Sequence, residues 1–259
     1  TLQVASCHHY RDQWARAFDV TYEDESGDQQ FVHQTTYGMS ERLLGAIVAT
    51  HGDDKGLIMP PSVAPIQVIV IPIMSKQASQ DVIVEAEKIV SQLKESGIRV
   101  RIDDRDIRPG QKYYDWEIKG VPLRIEIGPR DLANNSVMCV RRTGGKNSHS
   151  LENLAATVRA ELDAIGKEMN EESTNHFNFH IKNLPSFTRD GDKLVFNEPI
   201  QSGYVYEMAF EGNDAEAEMI EKSTGLTFLG NSTSTYSKAK SCIISGKSTH
   251  NKVYLARTY

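Results

Sequence analysis

The sequence predicts a multidomain chain that combines α/β with α+β architecture, and three stretches carry that prediction. A continuous apolar run from Ile66 to Ile73, "IQVIVIPI", leads into an amphipathic segment from Asp81 to Ser96 and then a second strand, "IRVRID". A strand apolar on both sides, a crossover helix and a further strand make a βαβ unit whose sheet needs cover on both faces. Before it, alternating strand-like segments separated by polar turns predict hairpins. Between the two lies "MPPSVAP", Met59 to Pro65, whose three prolines block regular helix and fix an extended connection.

The elements follow in order. Residues 1–65 read as a strand opening "TLQVAS", an amphipathic helix around Arg11 to Phe18, a strand, the acidic turn "EDESGDQQ", another strand, and a helix after Gly38. In that helix Ser40 suits the N-cap and Glu41 the positive end of the dipole, and Leu43, Leu44, Ala46, Ile47, Val48 and Ala49 make it apolar nearly all round. Such a helix is expected to be buried, yet Arg42 places a cation at the unfavourable end of its dipole. Residues 66–172 continue from the βαβ unit through a short helix around Lys112 to Ile118, the strands "VPLRIEIG" and "SVMCVRR", and a long polar helix from Ser150 to about Glu172. This completes an α/β domain of common size. Residues 173–259 are more polar and read as a small α+β domain, with "GNSTSTYSKAKS" as a surface loop.

With 39% hydrophobic and 25% charged residues among 259, the composition is that of an ordinary globular protein rather than a disordered one. A formal net charge of -6 excludes a chain that clamps nucleic acid by bulk charge, so any such site must be local. Cys7, Cys139 and Cys242 lie far apart with no CxxC, which gives neither a disulfide framework nor a four-cysteine metal site and fits a reduced, cytoplasmic setting. The longest apolar runs fall far short of a membrane span. The chain opens on Thr1 in mid-pattern, and the expectation is a portion of a longer polypeptide.

Four stretches hold candidate chemistry. Arg42 presents a planar, always charged guanidinium suited to phosphate pairing and ring stacking, against the plainer reading of an ion pair with Glu41 or another nearby acid. His8 and His9 follow a strand and point to opposite faces, so a shared metal is not expected; a single histidine contacting a ligand stands against one that only packs. "THGDDKG", Thr50 to Gly56, lacks the ligand repeat of a calcium loop and reads as a polar helix end. From Asp103 to Asp131, Arg105, Arg108, Lys112, Lys119, Arg124 and Arg130 mix with Tyr113, Tyr114 and Trp116. That mixture neutralises phosphates and stacks unpaired bases, with Asp103, Asp104 and Glu117 as acceptors for base amino groups; the alternative is a charged strand edge beside an amphipathic helix.

Taken together, "TTYGMSERLLGAIVATHGDDKGLIMPPSVAPIQVIVIPI" resembles the third signature motif of class II aminoacyl-tRNA synthetases followed by the linker of prolyl-tRNA synthetases. "RPGQKYYDWEIKGVPLRIEIGPRDL" resembles the anticodon-binding domain of that family, and "KVYLARTY" its archaeal and eukaryotic-like C-terminal extension. The resemblance implies that residues 1–65 end an antiparallel catalytic sheet with its motif 3 helix, 66–172 form the anticodon-binding domain, and 173–259 a domain that in many relatives holds zinc. It implies ATP-dependent activation of proline and transfer to tRNA(Pro), with ATP and its Mg²⁺, proline and tRNA as partners, no membrane, and a homodimer formed through a part of the enzyme outside this chain. Arg42 takes the place of the adenine-stacking, phosphate-reaching arginine; Gln3, Ser40 and Glu41 line the ATP site; Ser6, His8 and Tyr37 fall at the proline pocket. Asp104, Arg105, Lys112, Trp116, Glu117 and Arg130 are assigned to the anticodon, and the Tyr259 carboxylate to the terminus that reaches toward the catalytic domain. Of the family's four zinc cysteines Cys242 alone remains, with Ser245, Glu211 and Ala215 or Glu216 at the other positions, so zinc is not expected. Motifs 1 and 2 have no counterpart here, so this stretch by itself is not expected to aminoacylate. The competing readings are an anticodon-binding module without ligase activity and another class IIa synthetase.

Overall fold

The computed structural model describes residues 1–74, 79–191 and 193–258, which form two compact units, Val4–Ser173 and Thr1–Gln3 with Thr174–Tyr259. The first unit opens with strand β1 (Ala5–Arg11), helix α1 (Gln13–Phe18), the hairpin β2 (Thr21–Glu23) and β3 (Gln29–Phe31), strand β4 (Gln34–Met39) and helix α2 (Arg42–His51). β1 and β4 pair antiparallel as a two-stranded ribbon. Asp24 closes the acidic turn by accepting from the backbone of Ser26 and Asp28, an Asx-type turn that explains the hairpin.

α2 departs from expectation in two ways. The N-cap is Glu41 and not Ser40, no side chain caps the helix, and the Ser40 carbonyl accepts from Leu43 N–H in the turn that leads into Arg42. None of the helix's residues is buried: Leu44 is 61% and Val48 47% exposed. A two-stranded ribbon is too narrow to supply a covering layer, and no other described element buries this apolar surface.

The rest of the unit is a five-stranded sheet. Its elements are β5 (Val68–Pro72), α3 (Ser79–Glu95), β6 (Val100–Ile102), α4 (Pro109–Ile118), β7 (Leu123–Ile127), α5 (Pro129–Ala133), β8 (Ser136–Arg141), β9 (Lys146–Ser150) and α6 (Leu154–Phe179). Strand order is β6-β5-β7-β8-β9, with β5 parallel to β6 and β7, and β8 and β9 added antiparallel. α3 and α6 cover one face. Leu154, Val158, Leu162, Ile165 and Met169 recur at helical spacing down α6 and meet Val68, Val70, Leu123, Ile125 and Ile127 in one core. Burial of each such side chain is worth about 1.5–3 kcal/mol.

The opposite face is covered unevenly. α4 packs Tyr113 and Trp116 on Ile69, Ile71 and Val121, so β5 is apolar on both sides. Beyond α4, β7 alternates, with Leu123, Ile125 and Ile127 inward and Arg124 and Glu126 outward. Two-sided cover therefore holds for β5, while β7 to β9 present a charged face.

The second unit carries β10 (Ile181–Asn183), β11 (Phe187–Asp190), β12 (Lys193–Phe196), β13 (Val205–Ala209), α7 (Asp214–Thr224), β14 (Thr227–Asn231), β15 (Lys240–Ser241), β16 (Ser248–Thr249) and β17 (Lys252–Ala256). The main sheet runs β10-β13-β17-β14, with Tyr206, Met208, Val253 and Leu255 packed against Ile220 of α7. α7 is bounded by a reciprocal capping box between Asn213 and Glu216 and by Gly225 in the left-handed conformation. Among the described residues no helix is long and apolar enough to cross a membrane.

Candidate functional site

The densest polar constellation sits just beyond the C-terminal end of β6. Asp103 is 3% exposed, and its carboxylate accepts from Arg105 Nε at 2.8 Å, Arg105 Nη2 at 2.7 Å and the Trp116 indole N–H at 2.7 Å. Burial pushes this carboxyl up, but the bonds from Arg105 and Trp116 outweigh it and bring it down to about 2. Lys112 is buried, and its ammonium donates to the Asp103 carbonyl oxygen at 2.9 Å. Arg105 also reaches Asp115 at 2.9 Å. Of the residues expected to meet an anticodon, Arg105, Lys112 and Trp116 thus converge on one buried acid. Asp104 stands exposed on the loop after β6, next in sequence to this acid, and Arg130 stands exposed on α5, which follows β7.

Around the corner runs a surface of stacked rings and cations. Lys119 Nζ lies 4.4 Å from the Trp116 ring centroid and the Arg124 guanidinium 4.1 Å from that of Tyr113. Arg124 and Lys146 both pair with the buried Glu126, at 2.9 and 3.0 Å, which ties β7 to β9 across β8. Burial and the charge of Glu126 raise the Tyr113 phenol above its usual value and keep it a neutral donor. Between α4 and the sheet a cavity of about 240 Å³ is lined by Ile69, Tyr113, Trp116, Arg124, Val140 and Arg142 among others. Rings interleaved with cations suit planar bases attached to phosphates, although Lys119 and Arg124 occupy the ring faces of Trp116 and Tyr113 in the chain itself. Glu117, half-buried, lies 3.6 Å from Lys55.

The N-terminal candidates occupy the ribbon and α2. Arg42 is the first helical residue, and it stands exposed with Ser40 and Glu41 on that helix end. Cross-strand partners share a face, and the register pairs Ser6 with Gly38, His8 with Thr36 and Cys7 with Tyr37. Ser6 and His8 therefore lie on one face of the ribbon, with His8 stacked on Tyr10 at 5.2 Å, and Tyr37 on the other, 85% exposed. Gln3 belongs to the second unit. Tyr259 lies outside the described residues.

The residues at the zinc-site positions are hydrogen-bonded to one another in a way that does not fit a tetrahedral metal. Cys242 Sγ accepts from Glu211 N–H at 3.2 Å, and the Ser245 hydroxyl donates to the Glu211 carbonyl at 3.1 Å. The Glu211 carboxylate accepts from Thr249 Oγ1 and Asn251 Nδ2, both at 2.7 Å, and Glu216 is committed to the α7 cap. Burial opposes ionisation of Cys242, but bonds from Ser245 and from nearby backbone N–H groups hold its thiol below the ordinary value. One thiol with no second soft donor cannot replace four thiolates.

Asp53, Lys146 and Arg142 escape a local reading. Arg142 and Asp53 pair across 89 positions of sequence, and no periodicity or motif links such distant residues.

Residues 67–161 match the family described as "Anticodon binding domain". Across its full length the chain is similar to curated relatives named "Proline--tRNA ligase". It is 41% identical to that of Thermococcus kodakarensis and 42% identical to that of Methanosarcina mazei, covering 54% and 53% of them. A relative of the same name from Pyrococcus abyssi is 46% identical over 71% of this chain. The chain spans about half the length of the curated relatives it matches.

Proposed function

On the premise that this chain is related along its whole length to the proline–tRNA ligases, we propose that it is the portion of such an enzyme that grips the tRNA anticodon and carries part of the nucleotide site. The observation that carries the reading is full-length identity of about 40% joined to a ring-and-cation surface inside the segment matched as an anticodon-binding domain. The anticodon loop would be splayed at the corner of Asp103 and along the open face of β7 to β9. Trp116 and Tyr113 would offer stacking surfaces, Arg105, Arg124, Lys146 and Arg130 would meet phosphates or base edges, and Asp104 and Glu117 would accept from base amino groups. Lys112 would act indirectly, by holding the Asp103 backbone in place.

In the whole enzyme, the proline carboxylate would attack the α-phosphate of ATP. An acyl–phosphate bond forms, the bond to the departing pyrophosphate breaks, and prolyl-adenylate results. A hydroxyl of the terminal tRNA ribose would then attack the prolyl carbonyl and release AMP. Chemistry of this kind depends on positioning and charge neutralisation, which suits an arginine at the start of α2 stacking on adenine and reaching the phosphates. Ser40 and Glu41 would line the nucleotide, Mg²⁺ would enter with ATP, and Ser6 and His8 would border the proline site from their shared face of the ribbon, which leaves Tyr37 on the opposite face outside it. The half of the relatives' length not spanned here would cover the apolar side of α2 and supply the dimer contact.

A module that binds the anticodon without ligating is the second reading, since the ring-and-cation face is self-contained. Proline-dependent exchange of pyrophosphate into ATP by the full-length protein, set against threonine, serine, glycine and cysteine, separates the two. Exchange with proline alone supports the ligase, and binding of tRNA with no exchange supports the module.

A further inference from the structure

The turn that follows α2 is bolted to the anticodon-binding domain by one buried arginine. Arg142, the residue after β8, has a side chain only 4% exposed. Its Nη1 and Nη2 donate to the two Asp53 carboxylate oxygens at 2.9 and 2.5 Å, its Nε to the Glu117 carbonyl at 3.1 Å, and Nη2 also reaches the Gly56 carbonyl at 3.4 Å. All three guanidinium nitrogens are thus used, and together they join β8, the end of α4 and the turn leaving α2. This bidentate fork holds Asp53 well below the usual carboxylate range.

Backbone contacts reinforce the joint. Leu57 N–H donates to Ile118 O at 3.0 Å and Met59 N–H to Gly120 O at 3.1 Å. Gly56 and Gly120 make this approach possible: a β-carbon on Gly56 would sit 2.7 Å from the Ile118 backbone, and one on Gly120 2.7 Å from Leu57. Both have positive φ, +129° and +69°, so a side chain would be strained as well as crowded. On the other side of the turn, Gly52 N–H still bonds to Val48 O of α2. The helix that begins at Arg42 is therefore continuous, through Gly52, Asp53 and Arg142, with the helix that carries Trp116 and Glu117.

We propose that Arg142 is a positioning residue of the proposed ligase: through Asp53 and the Glu117 carbonyl it fixes the pose of α2, and so of Arg42 at the nucleotide, relative to the anticodon-binding face. The assignment of Arg42 rests on the ligase reading; the joint itself does not. An α-helix advances about 1.5 Å per residue, so Arg42 stands about 15 Å from the latched end, and a tilt there displaces its guanidinium. Arg142→Lys keeps the charge but loses the fork, and Asp53→Asn removes the charge from the more exposed partner, which makes it the variant safer for folding.

Two measurements on the full-length enzyme test this. In proline-dependent pyrophosphate exchange, both variants are expected to raise KM for ATP between about ten- and a hundredfold, as misplaced reacting groups do. Affinity of Asp53→Asn for tRNA should stay within about twofold, since Asp53 reaches the ring-and-cation face only through Arg142. In hydrogen exchange, amides of residues 42–51 are expected to lose protection together with residues 53–59, while the sheet core does not. Unchanged KM for ATP in an active enzyme, or a lowered melting temperature with all kinetic constants unchanged, overturns the positioning role. If the unsubstituted enzyme shows no proline-dependent exchange, the ligase reading falls. Hydrogen exchange then decides alone whether the joint holds α2, and unaltered protection of residues 42–51 overturns it.

Discussion

Replacing Asp103 with Asn removes one negative charge from a site where two guanidinium N–H groups and an indole N–H converge on it. A carboxyl lowered from 3.8 to about 2 contributes on the order of 2 kcal/mol to stability at neutral pH. Because the folded-state value lies below the unfolded one, this contribution is fully present above about pH 4 and is lost as pH falls through about 2. Urea unfolding followed by tryptophan fluorescence, on the protein and on Asp103→Asn, gives the difference at each pH. The expected gap of about 2 kcal/mol at pH 7 and 5 closes between about pH 4 and pH 2. The variant should also weaken tRNA binding, since Arg105 and Trp116 both take their orientation from this acid. A gap that persists unchanged at low pH, or no gap at pH 7, would refute the hub role given to Asp103.

Arg42→Ala in the full-length enzyme is expected to raise KM for ATP by about a hundredfold, the loss typical of a charged partner to a phosphate, with tRNA affinity unchanged; equal losses in both would count against the assignment. Reversing charge with Lys146→Glu on the open face should weaken tRNA binding and flatten its salt dependence by about one phosphate contact, read from affinities at several ionic strengths. Treatment with a strong zinc chelator is expected to leave the melting temperature unchanged, because the turn around Cys242 closes on Glu211, Ser245 and Thr249 by hydrogen bonds. A drop of several degrees would mean that a metal binds there.

Much of the architecture was legible because its cause is local. The run "IQVIVIPI" is apolar at every position from Ile69 to Ile71 since α4 covers one side of β5 while α3 and α6 cover the other, and "LRIEI" alternates since the second side of β7 is covered by Tyr113 and by the ion pairs of Arg124 and Lys146 with a buried Glu126 rather than by an apolar layer. The long helix was legible from its spacing, although α6 begins at Leu154 and extends to Phe179. β9 was not, since "KNSHS" is polar at each position and is a strand only by pairing with β8. α2 shows the limit of composition: an apolar helix must be covered somewhere, but nothing in its own residues says by what. Within the site, the aromatic and basic residues of 103–131 declared themselves by type. Their employment did not, because the commitment of Lys112 to a carbonyl nine residues back depends on how α4 folds over the end of β6. Arg142 and Asp53 lie further still from any sequence signal, since they meet only once the turn after α2 is docked.

A chain that serves a proline-specific ligase through an anticodon-reading face must make prolyl transfer depend on the anticodon. Charging by the full-length protein of tRNA(Pro), and of the same tRNA with its anticodon replaced, tests it most directly. The account predicts prolyl transfer to the native tRNA, a loss of at least about tenfold in kcat/KM on anticodon replacement, and the same loss on the native tRNA with Trp116→Ala, as for removal of one stacked base. Transfer of a different amino acid, or prolyl transfer indifferent to both the anticodon and Trp116, would contradict it.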